Sequence, residues 1–217
     1  MCIRDSNLIE RKESLLERKL NFITHGIGLV LSIIGLFYLV EKSILYPKSF
    51  NLISSLVYGI SLILMYSSST IYHYYIDSKY SRVLQKIDHI SIYLLIAGSY
   101  TPGLLLKLKY SLGFEILIII WLLAFIGIIH KIFFFNYLKK ASLIIYLFMG
   151  WLIVIDFNAV LESFSSNSIF FMVIGGLLYT VGTVFYSLDK LKYNHVIWHL
   201  FVLGGSACHY IMIIQII

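Results

Sequence analysis

Apolar residues in this chain come in long blocks separated by short polar joints. Seven blocks stand out, at roughly residues 22–41, 51–73, 88–106, 111–130, 141–157, 168–187 and 196–216. A helix needs ~20 mostly apolar residues to cross the hydrocarbon of a bilayer, and each block matches that length. Barrel strands would alternate apolar and polar positions over about ten residues, a pattern absent here. The third and fourth blocks are joined only by the turn Lys107-Leu-Lys-Tyr110. The fifth is the shortest and carries Asp156, so its limits are the least defined. The first has no small-residue cleavage site after it and contains His25, so it reads as a retained helix and not a signal peptide. The pattern predicts an all-α integral membrane bundle of seven transmembrane helices. Residues 1–21 form an N-terminal segment and 22–217 a single domain. Residues 1–6, Met-Cys-Ile-Arg-Asp-Ser, resemble the translation of a common transposon sequencing adaptor and are set aside.

Composition narrows the class further. Of 217 residues, 59% are hydrophobic, 16% aromatic and 13% charged, with mean hydropathy +0.88. Soluble domains carry about 25% charged residues. A water-soluble fold and a disordered chain are both excluded. The net charge of +6 does not indicate nucleic-acid binding, because the basic residues sit in short clusters between apolar blocks and not on one face. Those clusters instead orient the bundle. With the N-terminus inside, thirteen Lys and Arg residues fall in inner segments and four, Lys42, Lys48, Lys107 and Lys109, in outer ones. Lys and Arg collect in cytoplasmic loops, so the N-terminus is expected inside and the C-terminus outside. The two cysteines, Cys2 and Cys208, imply no disulfide framework.

Once oriented, the polar residues share a depth. Ionisable groups in spanning segments are costly and mark function. His25 falls at the inner end of the first helix, Ser69 and His73 at that of the second, Asp88 and His89 at that of the third, and His195 and His199 at that of the seventh. His195 and His199 are four apart, hence on one helix face. Two imidazoles from one helix and one from another build a three-ligand zinc site with an open fourth position. Asp88 could then act as general base on a water, and Ser69, one turn before His73, could donate to a neighbouring ligand or a developing oxyanion. Simpler roles exist for each residue. His73 could lie among headgroups, Asp88 could cap the third helix or pair with Lys86, and Ser67, Ser68 and Ser69 could bond to carbonyls one turn back. The shared depth favours the functional reading. Elsewhere, His130 is expected at the interface, His209 too deep for the same ion, Asp156 solvated on the outer side, Glu115 among headgroups, and Pro102 at a kink.

The stretches Glu17-Arg-Lys-Leu-Asn21-Phe-Ile-Thr-His25-Gly-Ile-Gly28, Ser67-Ser-Ser-Thr-Ile-Tyr-His73, Lys86-Ile-Asp88-His-Ile-Ser-Ile-Tyr and His195-Val-Ile-Trp-His199 resemble the hemolysin III proteins, within the wider family of progestin and adiponectin receptors. The resemblance implies a seven-helix bundle with a zinc ion near the cytoplasmic side. The receptor branch's three zinc histidines match His73, His195 and His199, its third-helix aspartate matches Asp88, and its second-helix serine matches Ser69. The superfamily includes alkaline ceramidases, so the resemblance implies a metal-dependent hydrolase of lipid amides or esters in a bacterial plasma membrane, with membrane lipid as partner. The alternatives are a receptor-like or regulatory protein with structural zinc, and a cytolysin. A cytolysin would need a polar stripe across the whole bilayer.

Overall fold

A computed structural model describes residues 13–135, 139–188 and 190–217. Residues 1–6, Cys2, Arg4, Arg11 and Lys12 lie outside the described residues, as do the side chains of Lys139 and Lys140. The long helices are α1 (Leu15–Leu45), α2 (Asn51–Tyr74), α3 (Ser81–Leu106) and α4 (Gly113–Phe133), then α7 (Ser166–Tyr186) and α8 (Asn194–Ile216). Between α4 and α7, α5 (Lys139–Gly150), a 3-10 turn (Leu152–Asp156) and α6 (Phe157–Ser163) follow one another. Among the described residues, seven helical spans are long and apolar enough to cross a membrane, the fifth being Ser142–Ser163. The protein is an all-α integral membrane bundle.

Helix starts differ from the apolar blocks for local reasons. α1 begins at Leu15, ahead of residue 22, because Ser14 and Glu17 form a capping box: the Ser14 hydroxyl accepts from the Glu17 N–H at 3.2 Å and the Glu17 carboxylate accepts from the Ser14 N–H at 2.7 Å. α3 begins at Ser81, so Asp88 lies about two turns inside it. Asp88 therefore does not cap the helix. Lys86 sends its ammonium to the Ile132 carbonyl at 3.2 Å. α3 continues through Pro102 to Leu106.

The inward face of α1 is mostly polar or small and its outward face is apolar. α1 buries Glu17, Asn21, Thr24, His25, Gly28, Ser32, Gly35, Leu39 and Ser43, a stripe recurring at three- and four-residue steps, and exposes Ile27, Val30, Leu31, Ile34 and Phe37. Lipid tails are as apolar as leucine, so helices associate through close packing and hydrogen bonds. Gly28 shows the first: a Cβ there would lie 2.4 Å from the Tyr66 ring. The hydroxyl pairs Ser43–Ser55 at 2.7 Å and Ser68–Ser91 at 2.8 Å show the second.

Neighbours in sequence pack in space, and α1 closes the circuit against α8. α3 is the hub, touching α2, α4, α5 and α8. Tyr58, Met65, Leu104 and Ile213 are among the fully buried apolar side chains. The fifth span breaks after Gly150, and Tyr100 repairs the break: its hydroxyl donates to the Gly150 carbonyl at 2.8 Å and accepts from the Ile153 N–H at 3.1 Å. Irregular backbone at membrane depth survives where protein groups satisfy it. Asp156 is not solvated. It is 9% exposed and accepts from the Ser111 hydroxyl at 2.9 Å and the Leu112 N–H at 3.1 Å, which pins the α3–α4 turn to the fifth span. Glu115 is exposed, and Cys208 is a free thiol.

Candidate metal centre

The centre is assembled where α1, α2 and α8 meet, starting from one buried carboxylate. Glu17, 3% exposed, spends one oxygen on the Ser14 cap of α1 and the other on the Tyr193 N–H, at 2.6 Å. Tyr193 precedes α8 and has a left-handed backbone, φ 61°. A non-glycine residue holds that conformation only when its surroundings impose it. Glu17 thus ties the first turn of α1 to the start of α8, two residues before His195.

On α8, His195 and His199 stand one turn apart with ring centroids 4.7 Å apart. His73, in the last turn of α2, brings its ring to 4.9 Å from His195 and 5.0 Å from His199. One ligand atom from each of the three lies within 4.8 Å of the others, a group that could hold a metal ion. Both ring nitrogens of His73 are buried without a hydrogen-bond partner. Leaving a buried polar group unsatisfied costs about 1–3 kcal/mol, so these orphaned nitrogens fit a ligand held between the rings. His73 and His199 are buried and His195 is half-buried.

The sequence reading left His25 and Thr24 without roles, and both belong here. The His25 ring stacks on His199 at 3.4 Å between centroids and 14° between planes, and meets Tyr66 edge-on. Thr24 Oγ1 lies 3.1 Å from His199 Nδ1, 2.8 Å from the Leu20 carbonyl and 3.1 Å from the Asn21 carbonyl. A hydroxyl has one proton. With that proton on a main-chain carbonyl, Thr24 accepts from His199 Nδ1–H. His199 is thereby held as the tautomer whose Nε2 lone pair is free to ligate. The available signal was the four-residue spacing Glu17, Asn21, His25 with Thr24 beside it, polar positions on one face of an otherwise apolar helix.

Asp88 and Ser69 lie outside the histidine group. Ser69 is 1% exposed and lies close enough to the Asp88 carboxyl to interact with it. Ser69 is one turn before His73, so Asp88 is held against the α2 face that presents that histidine. Ser91 donates to the Asp88 carbonyl at 2.6 Å, and Ser68 to Ser91. The other histidines are elsewhere. His89 Nδ1 lies 3.3 Å from the Lys131 ammonium, His130 packs on Phe134, and His209 Nε2 meets the Met172 carbonyl at 3.3 Å.

Residues 14–210 match the model of a family described as haemolysin-III related. The chain is 44% identical over 194 residues to the hemolysin-3 homolog of Bacillus subtilis (strain 168), covering 89% of this chain and 91% of that one. It is 45% identical over 187 residues to hemolysin-3 of Bacillus cereus, covering 86% and 85%. It is 30% identical over 210 residues to the monocyte to macrophage differentiation factor of Homo sapiens, covering 92% and 84%.

Proposed function

The chain belongs to the haemolysin-III related family, and from that premise we propose that it is a membrane-embedded hydrolase of lipid amides or esters whose zinc ion is held by His73, His195 and His199. The observation that carries this reading is the convergence of three imidazoles, two of them one turn apart on α8, around the orphaned nitrogens of His73. A zinc ion there would supply Lewis acidity, polarising a carbonyl and making water more acidic. Three protein ligands leave a fourth position open, the pattern of a catalytic and not a structural site.

Each neighbouring residue then has a task. Thr24 holds the tautomer of His199, and the stacked His25 ring fixes its plane. Asp88 takes a proton from water as the water oxygen adds to the carbonyl carbon. It returns a proton to the amine or alcohol as the C–N or C–O bond breaks. Ser69 holds the carboxyl in place for both transfers. The outward faces of the helices are apolar, which suits a substrate with acyl chains. The lysine and arginine bias assigns the histidine end to the cytoplasm, so the substrate enters from the inner leaflet of a bacterial plasma membrane. A cytolytic role, which two relatives' names suggest, is less well supported: among the described residues the buried ionisable side chains Glu17, His25, His73, Asp88, Lys131 and His199 lie toward one end of the bundle, and Asp156 alone lies toward the other, pinning a turn.

The test is metal analysis and turnover on the same variants. Wild type should hold close to one zinc per chain, and His195→Ala should lose it. Asp88→Asn should keep zinc and lose most of its turnover of ceramide-like amides. Undiminished zinc in His195→Ala would remove the ligand assignment. Wild-type turnover in Asp88→Asn would remove the base. A wild type inactive on a panel of lipid amides and esters would favour a receptor-like role.

A further inference from the structure

The end of the bundle farthest from His73, His195 and His199 holds a polar concavity. It measures about 260 Å³ and is lined by Lys48, Asn51, Lys107 and Lys109 beside Leu105 and Ile216. The chain places only four lysines at this end, and three of them meet here. The fourth, Lys42, is committed to the Ile214 carbonyl. No acidic side chain is among the lining residues, and among the described residues none of the three lysines takes part in an ion pair. The Lys109 ammonium lies over the Tyr110 ring, 4.7 Å from its centroid, a contact that leaves its charge uncompensated; like charges on the lining of one cavity repel, and an anion among them relieves it.

Two features of α2 bear on the same space. Its first residue, Asn51, lines the cavity, and the helix has no side-chain cap at Phe50. The Asn51 N–H donates to the Lys48 carbonyl at 3.1 Å, and the positive end of the helix dipole lies at this region. Asn51 is 1% exposed, and its Nδ2 donates to the Tyr46 carbonyl at 2.9 Å and the Ile217 carbonyl at 3.3 Å. Two carbonyl partners fix which way the amide points, and its Oδ1 is left buried without a donor. The cavity thus offers positive charge for an anion and one buried acceptor that needs a hydroxyl or amine donor.

We propose that this cavity binds a phosphorylated polyol, with the phosphate among Lys48, Lys107 and Lys109 and a hydroxyl donating to Asn51 Oδ1. An anionic glycerophospholipid headgroup and a free glycerol phosphate share that chemistry. The site is separate from the histidine centre and does not depend on the reaction proposed there.

The experiment uses the full-length protein in nanodiscs of phosphatidylcholine containing a minor fraction of phosphatidylglycerol, with bound lipid counted by native mass spectrometry. Wild type should retain phosphatidylglycerol over phosphatidylcholine. The triple variant Lys48→Gln, Lys107→Gln, Lys109→Gln should lose that preference by roughly a hundredfold, since each lysine near a charged surface is worth about a factor of five. Lys42→Gln should retain it. Asn51→Leu should weaken retention of phosphatidylglycerol more than that of phosphatidic acid, which has no headgroup hydroxyl beyond its phosphate. Thermal unfolding of wild type with glycerol 1-phosphate separates the two sources. A rise in midpoint lost in the triple variant identifies a soluble ligand, and no rise alongside retained phosphatidylglycerol identifies the headgroup. Equal retention of both lipids by wild type, with no response to glycerol 1-phosphate, would overturn the proposal even if the triple variant fails to fold. So would unchanged selectivity in a folded triple variant.

Discussion

Replacing Thr24 with valine tests the proposed metal centre through a residue that is not one of its proposed ligands. The substitution keeps the branched shape and deletes the hydroxyl, a change that matters because of the lost hydrogen bonding and not the volume. Thr24 Oγ1 is the acceptor 3.1 Å from His199 Nδ1. His199 is 1% and Thr24 9% exposed, so bulk water does not replace it. An unsatisfied buried N–H costs about 1–3 kcal/mol. A ligand histidine that loses its orienting partner typically weakens metal binding by about 10–100-fold, or ~1.4–2.7 kcal/mol. Chelator competition on purified protein measures this directly. Thr24→Val should release zinc to a weaker competitor than wild type does, and Thr24→Ser should restore most of the affinity. Equal affinity in Thr24→Val and wild type would refute the tautomer argument. Equal loss in Thr24→Ser and Thr24→Val would show that packing, and not the hydroxyl, was responsible.

Other outcomes follow from the same geometry. Glu17→Ala orphans the Tyr193 and Ser14 N–H groups and should lower stability by about 1–3 kcal/mol, read as a lower thermal midpoint, with weakened metal retention because α8 is no longer held at its start. Gly28→Ala forces a Cβ to 2.4 Å from the Tyr66 ring, whereas Gly150→Ala meets nothing within 4 Å. The first should cost about 1–3 kcal/mol and the second almost nothing in the same unfolding assay. Asp156→Ala removes the acceptor for Ser111 and Leu112 and should destabilise the α3–α4 turn, seen as faster proteolysis there. A reporter fused after Ile217 should be active only in the external mode. Cytoplasmic activity would reverse the orientation and the leaflet from which substrate enters.

The spans were legible in the sequence because lipid imposes a length and an apolarity that no local context overrides. The pairing of His195 with His199 was legible too, since a four-residue step on a helix is geometry and not packing. Helix ends were less so. α1 starts at Leu15 because Glu17 caps it, and α3 starts at Ser81, where flanking residues are too polar for the apolar blocks to include them. Asp156 read as solvated because its donors, Ser111 and Leu112, are remote in sequence.

What the sequence could not show is which polar residues meet across helices. His25 shares a depth with His73, His89, His195 and His199, and depth is all that topology and charge bias supply. Rotation of each helix about its axis decides the rest. That rotation is set by contacts such as Gly28 on Tyr66 and Glu17 on the Tyr193 N–H. It turns His25 onto the face of His199 and leaves His89 beside Lys131. One chain therefore carries histidines at the same level that differ in role. Helical periodicity places a residue along its own axis, and only packing against neighbouring helices fixes the direction in which it points.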